Sequence, residues 1–110
     1  MADPLRWRKK PVVIEAFRMT QNRRWDNSEW PDWLNRAWNE PLGNVGALWI
    51  DPTDKIGTRL FIGTLEGDLL VSFGDWIVRG IRGELYPVRA DIFEATYEQA
   101  DAPAPAPQGD

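Results

Sequence analysis

The sequence predicts a small α+β domain, in which a curved antiparallel sheet or partial barrel carries one short amphipathic helix and a short C-terminal element. Three observations predict this class. Residues 46–88 contain short β-branched and aromatic runs separated by Gly-containing turns, which is the pattern of an antiparallel meander. One stretch, about 29–39, repeats its apolar residues at helical spacing. The chain has 110 residues, of which 43% are hydrophobic, so it can form one core and one domain.

The first predicted strand follows a basic N-terminus. Residues 1–10 are polar and basic, and we expect them to be flexible. Pro11 then opens the run 12–19, in which β-branched and aromatic residues favour a strand. Both faces of this strand are mostly apolar, which predicts an inner strand with Arg18 at its rim. Because the run lies far from the meander in sequence, we expect it to pair with the final elements.

The amphipathic helix follows a polar connection over 21–27. Asn27 or Ser28 can cap it, and Pro31 is acceptable in a first helical turn. Pro41 and Gly43 end it. The apolar positions at helical spacing are Trp30, Trp33, Leu34, Ala37 and Trp38.

The meander supplies the remaining strands. They are expected over 47–50, 59–65, 69–72, 76–81 and 84–88, with tight turns at Glu66-Gly67-Asp68, Gly74-Asp75 and Arg82-Gly83. Residues 91–97 form a last short helix or strand whose Ile92, Phe93 and Tyr97 close the core. The globular domain is therefore predicted to span 11–98. Alternating Ala and Pro over 99–110 indicate a disordered tail of polyproline character.

The residue inventory excludes several kinds of chemistry. The chain has no His and no Cys, so catalysis by imidazole or thiolate and metal binding by thiolate are impossible. The carboxylates Glu15, Glu66, Glu84 and Glu94 are scattered, and nothing in the sequence pairs them for acid–base work. No phosphate-binding loop is present, since the Gly63–Gly67 spacing lacks the Lys-Ser/Thr that such a loop needs. We therefore expect a non-enzymatic protein without cofactor or metal.

The net charge, the apolar runs and the number of Trp residues indicate which partners and which cellular location to expect. A net charge of -4 argues against non-specific nucleic-acid binding, although basic residues crowd the N-terminus. No apolar run approaches the roughly 20 residues of a membrane helix, so we expect a cytoplasmic protein with no membrane partner. Seven Trp are many for one small core, which predicts a homo-oligomer, most simply a dimer.

Four stretches of the sequence resemble a widespread family of small, mostly uncharacterised bacteriophage and prophage proteins. The stretches are KPVVIEAFR over 10–18, TLEG over 64–67, GDWIVRGIRGELYP over 74–87 and DIFEATY over 91–97. This resemblance implies a phage setting and action in the host cytoplasm. The resemblance implies no established chemistry that could be assigned to residues of this chain. Small accessory phage proteins are often counter-defence factors, which is an association at the level of the family.

One constellation of arginines and aromatic residues is the candidate ligand-binding site. Guanidinium groups bind phosphates in a bidentate manner and stack on aromatic rings, so this set suits a flat anionic ligand such as a nucleotide, or an acidic patch on a host protein. The ordinary alternative is a solvated sheet face on which Glu84 neutralises Arg82. Strand alternation places Trp76 and Arg79 on opposite faces unless a bulge near Gly80 realigns them. The set comprises Arg18, Trp76, Arg79, Arg82, Tyr86 and Arg89.

The Gly74-Asp75 pair has two interpretations of its own. It can be a turn held by the Asp75 side chain, or a nest of backbone amides beside an acidic group.

The functional hypothesis is a phage accessory protein that binds without chemistry and sequesters a nucleotide-type signal or a host defence protein. The alternatives are a small carboxylate- and metal-dependent nucleotide-processing enzyme and a structural virion component.

Overall fold

A computed structural model describes residues 3–100 of the chain. Most of the predicted Ala/Pro tail, from residue 101 onward, lies outside the described residues. The elements in chain order are β1 (Glu15–Arg18), α1 (Gln21–Trp25), α2 (Asp32–Trp38), β2 (Leu48–Ile50), β3 (Leu60–Thr64), β4 (Gly67–Val71), β5 (Trp76–Arg79), β6 (Leu85–Val88) and α3 (Ala90–Thr96). No helix among residues 3–100 combines the length and apolar character that a membrane crossing requires.

The strands form two antiparallel sheets, which confirms the α+β class. Sheet A has the order β1-β5-β6 and sheet B the order β2-β3-β4, and neither closes into a barrel. The single sheet that we expected is divided at residues 72–75, which we call the crossover, because β4 and β5 join different sheets. Asp75 holds the crossover: its Oδ2 accepts from the Ser72 backbone N–H at 2.9 Å. The Asp75 side chain therefore stabilises a turn, which is the first of the two interpretations of the Gly74-Asp75 pair.

β1 is an edge strand of sheet A, so its prediction as an inner strand was wrong. We expected it to pair with the final elements, and it pairs instead with β5, which precedes β6 and α3 in the chain and has β6 as its other neighbour. Two backbone hydrogen bonds extend the pairing into the crossover. The Met19 N–H donates to the Asp75 carbonyl at 2.8 Å, and the Gly74 N–H donates to the Met19 carbonyl at 2.7 Å. The apolar residue on the second face of β1, Ala16, lines the same groove as residues of α3.

The core lies between the inner faces of the two sheets and α2. Its fully buried side chains include Met19, Leu34, Leu48, Leu60, Ile62, Val71 and Ile77. α2 contributes Leu34 and Ala37, while Trp30 just before it is also buried. Trp30 and Trp38 meet edge to face with their ring centroids 5.7 Å apart. The helix predicted over 29–39 is thus present in a shorter form, with its apolar face inward as the spacing required.

α1 replaces part of the polar connection that we expected over 21–27. The Thr20 side chain accepts from the Arg23 N–H and caps this helix. Arg24 then fixes it against the rest of the molecule. Its guanidinium lies 4.4 Å from the Trp25 ring centroid and 5.2 Å from that of Trp38, and its Nε donates to the Gly57 carbonyl at 3.0 Å. Burial lowers the pKa of Arg24 from its ordinary value.

Candidate functional site

The strand register of sheet A decides which predicted site residues share a surface. Directly paired residues point to the same face of a sheet. Arg18 pairs with Trp76, and Tyr86 pairs with Val78, two positions along β5 from Trp76. Arg18, Trp76 and Tyr86 therefore lie on one face, which we call the outer face. Arg79 lies on the opposite, inner face with the core residue Ile77, as strand alternation predicts.

An aromatic row covers the outer face. The Phe93 ring of α3 stacks on Trp76 with 4.2 Å between centroids and 9° between planes. Tyr97 follows, with its ring centroid 4.9 Å from that of Phe93. The spacing of four residues places Phe93 and Tyr97 on one side of the helical turn, so both reach the sheet. Because flat aromatic stacking buries large apolar areas, this row attaches α3 to sheet A.

A groove of about 1060 Å³ runs beside this row, and we call it the outer groove. Its floor includes Ala16 and Trp76, one wall is the irregular segment 9–14, and the other is formed by residues 93–100. Lys9 and Lys10 lie on the first wall, and Glu94 and Glu98 lie on the second. The groove thus combines an apolar aromatic floor with walls of opposite charge.

The two tyrosines of the chain meet near the outer groove and titrate differently. Burial raises the pKa of Tyr86 to about 12, and its interaction with the Tyr97 hydroxyl acts in the same direction. The interaction with Tyr86, followed by that with Lys9, lowers the pKa of Tyr97 from its ordinary value. Lys9 Nζ lies 3.4 Å from the Tyr97 hydroxyl and 5.1 Å from the centre of its ring. Lys9, on the first wall of the groove, therefore contacts Tyr97 on the second wall.

Trp76 carries an unused hydrogen-bond donor. Its Nε1 is buried and has no hydrogen-bond partner among residues 3–100. A buried indole N–H is usually paired, because leaving a buried donor unpaired costs about 1–3 kcal/mol. Within the described part of the chain, the Trp76 Nε1–H is therefore an unpaired donor buried beneath the floor of the groove.

The other predicted site residues are engaged elsewhere. Arg18 Nε donates to the Gly74 carbonyl at 3.0 Å, so this side chain ties β1 to the crossover. Arg82 is exposed in the β5–β6 turn, where its backbone N–H donates to Glu84 Oε1 at 2.9 Å. Arg89 precedes α3 and pairs with Asp91 at 2.9 Å. The structure therefore distributes the six predicted residues over two faces and two connections, and ligand binding by them stays a prediction.

Three groove residues were not singled out as binding residues from the sequence. Phe93 and Tyr97 were assigned to the core, and their spacing of four residues was the available signal for a shared surface. Lys9 belongs to the group of basic residues near the N-terminus. The sequence indicated a local basic site there but not its position in the structure. Among residues 3–100, no three acidic side chains come together as a possible metal site.

Comparison with known proteins gives no relative for this chain. No protein-family model matches it, and neither a curated protein nor a solved structure does.

Proposed function

We propose that this protein is a non-enzymatic binding module that captures an acidic, extended segment of a host protein in the outer groove. The observation that carries the proposal is the presence of Lys9 and Lys10 on one wall of a groove whose floor holds Trp76 and whose other wall holds Phe93. Aromatic surface supplies contact area and the ammonium groups supply charge complementarity, a combination common at protein interfaces. Glu94 and Glu98 on the other wall orient the acidic residues of the partner toward the lysines.

The basic character extends beyond the groove. Arg6 and Arg8 precede the two lysines and are exposed, so four cations lie within five residues on a protein whose net charge is -4. Opposite local charge accelerates association with an acidic partner and makes it dependent on salt. Capture of this kind needs no base or nucleophile, which agrees with the residue inventory.

The phage resemblance gives the proposal a biological setting. We place the protein in the host cytoplasm, where it acts by stoichiometric sequestration of a defence protein. Nucleotide processing and a role in the virion are the competing functions. Metal-dependent turnover of a nucleotide by the purified protein would favour the first of these, and incorporation into particles would favour the second.

The binding test uses a defined probe. A fluorescein-labelled peptide that alternates Glu with Leu and Pro should bind with a rise in anisotropy, whereas the same peptide with Lys in place of Glu should not. The double variant Lys9→Glu, Lys10→Glu should lose at least about tenfold in affinity, since two attractive charges become repulsive. The control Lys55→Glu, Arg59→Glu makes the same change in net charge away from the groove and should retain binding.

The same pair of variants tests the biological role. In a phage-protection assay, the Lys9 and Lys10 variant should lose activity while the control keeps it. Equal binding of acidic and basic peptides, or full protection by the Lys9 and Lys10 variant, would contradict the proposal.

A further inference from the structure

A second cavity, of about 300 Å³, lies between α2 and the β5–β6 hairpin. We call it the arginine cleft. Its lining residues include Trp33, Arg36, Glu40, Arg79, Gly83 and Leu85. Arg79 and Leu85 are register partners on the inner face of sheet A, so the cleft is separated from the outer groove by the sheet itself.

The helical side of the cleft presents three kinds of side chain in succession. Trp33 and Arg36 are three residues apart on one face of α2, and Glu40 follows the helix, two residues after its end at Trp38. Trp33 is half-buried, since it packs against the core and also lines the cleft. Arg36 is exposed, and no carboxylate among residues 3–100 lies within 4.0 Å of its guanidinium. An aromatic surface, a cation and a carboxylate therefore lie along one wall.

The hairpin side adds a second guanidinium. Arg79 Nη1 donates to Glu15 Oε1 at 2.8 Å, a pair whose carboxylate side chain is 59% exposed. Arg79 Nη2 lies beside the turn, 3.9 Å from the position that a Cβ on Gly83 would take. The nearby Glu84 forms no ion pair with Arg79, and its Oε1 accepts from the Arg82 backbone N–H at 2.9 Å. Arg79 thus keeps donors available toward the cleft.

We propose that the arginine cleft binds a nucleoside monophosphate, with the phosphate between Arg36 and Arg79 and the base against Trp33. Two guanidinium groups match the charge and the oxygen geometry of a phosphate monoester. An indole ring provides the stacking surface that a base requires. The volume is at the lower end of the range for small-molecule sites, which suits one nucleotide rather than a dinucleotide. Glu40 accepts a hydrogen bond from a ligand hydroxyl or amino group.

Isothermal titration calorimetry of the full chain tests this assignment. AMP, GMP, CMP and UMP should include at least one that binds, and adenosine and inorganic phosphate should each bind about tenfold or more weakly, since each supplies half of the contacts. Arg36→Ala should weaken nucleotide binding about tenfold or more by removing charged hydrogen bonds. Arg59→Ala is the matched control, because it removes an exposed arginine outside the cleft, and it should leave the affinity unchanged.

Glu15 gives a test in the opposite direction. Glu15 competes with the phosphate for Arg79, so Glu15→Gln should raise nucleotide affinity severalfold, whereas Glu66→Gln in the β3–β4 turn should not. The cleft assignment is wrong if no monophosphate binds at millimolar concentration, if Arg36→Ala and Arg59→Ala behave alike, or if inorganic phosphate binds as well as the nucleotides. None of these outcomes depends on the outer groove, because Arg36→Ala leaves Lys9 and Lys10 in place and peptide binding reports on that site separately.

Discussion

The arginines of this protein differ in function because they have different partners. Arg18 is bound to a backbone carbonyl of the crossover and Arg89 to Asp91, whereas the carboxylate of Glu15 occupies only part of Arg79. A sequence shows which residues carry a guanidinium group but not which of them already have an acceptor. The predicted set of six therefore contained two arginines that are already bound, Arg18 and Arg89, and two whose guanidinium groups keep free donors among residues 3–100, Arg79 and Arg82.

The tyrosine pair gives a prediction at the residue scale. The chain has two Tyr, so an ultraviolet titration reports on them alone. We expect one phenol to titrate below its ordinary range and the other near 12, because burial raises the pKa of Tyr86 to about 12 while Tyr97 is lowered. Tyr86→Phe should remove the upper step. A single shared step near 10 in the wild-type protein would contradict the arrangement.

The same pair of tyrosines predicts how the free energy of unfolding changes with pH in the alkaline range. The folded state holds Tyr86 in its neutral form, so its contribution to the free energy of unfolding is complete below about pH 10 and is lost as the pH rises toward 12. The lowered pKa of Tyr97 acts in the opposite direction and offsets part of this loss. Chemical denaturation at pH 9 and pH 11.5 should therefore show a smaller decrease for Tyr86→Phe than for the wild type. An equal decrease would mean that burial of Tyr86 does not set the pH dependence.

At the scale of elements, the attachment of α3 depends on Phe93. Phe93→Ala removes the stack on Trp76 and should lower the free energy of unfolding by about 1–3 kcal/mol, from lost burial and lost ring stacking. The neighbouring Ile92 is 52% exposed, so Ile92→Ala is the control and should cost less than about 0.5 kcal/mol. Urea denaturation measures both. Equal effects of the two substitutions would show that the stack does not hold α3.

The sequence predicted the elements better than their arrangement. α2 was predictable because Trp30, Leu34 and Ala37 repeat at the period of a helix. α1 was not, since a helix of five residues is too short to show a period and its only signal was the capping residue Thr20. The division into two sheets was also hidden. The Gly74-Asp75 turn resembles a hairpin turn in sequence, and only the pairing of β5 with β1 rather than β4 reveals it as a crossover.

The candidate sites were harder to predict than the fold. Each joins elements that are far apart in the chain: Lys9 contacts Tyr97 at the outer groove, and Arg36 and Arg79 both line the arginine cleft. Periodicity identifies the face of one helix or strand but not the element packed against it. Alternation along β5 did predict that Trp76 and Arg79 lie on opposite faces.

At the scale of the whole molecule, we expect a homodimer. Four of the five residues of β4 are exposed, Leu70 among them at 47%, and β4 is an edge strand of sheet B. An exposed apolar edge favours pairing with another chain. Light scattering at micromolar concentration should give twice the mass of the chain, and Leu70→Lys should convert it to the monomer. Leu65→Lys, in the adjacent turn, is the control. A monomeric wild type, with Trp25 fully quenched by iodide, would contradict this expectation.

The crossover also fixes an order of events as the chain leaves the ribosome. Sheet B contains all its strands within residues 48–71, so it can assemble as soon as that stretch has emerged. β1 is made first but pairs only with β5, and its Arg18 bonds to a residue 56 positions later. Closing so long a loop is costly in entropy and slow compared with forming a meander. β1 therefore stays without its partner until β5 has been synthesised, and it is incorporated after the strands of sheet B although it is made before them.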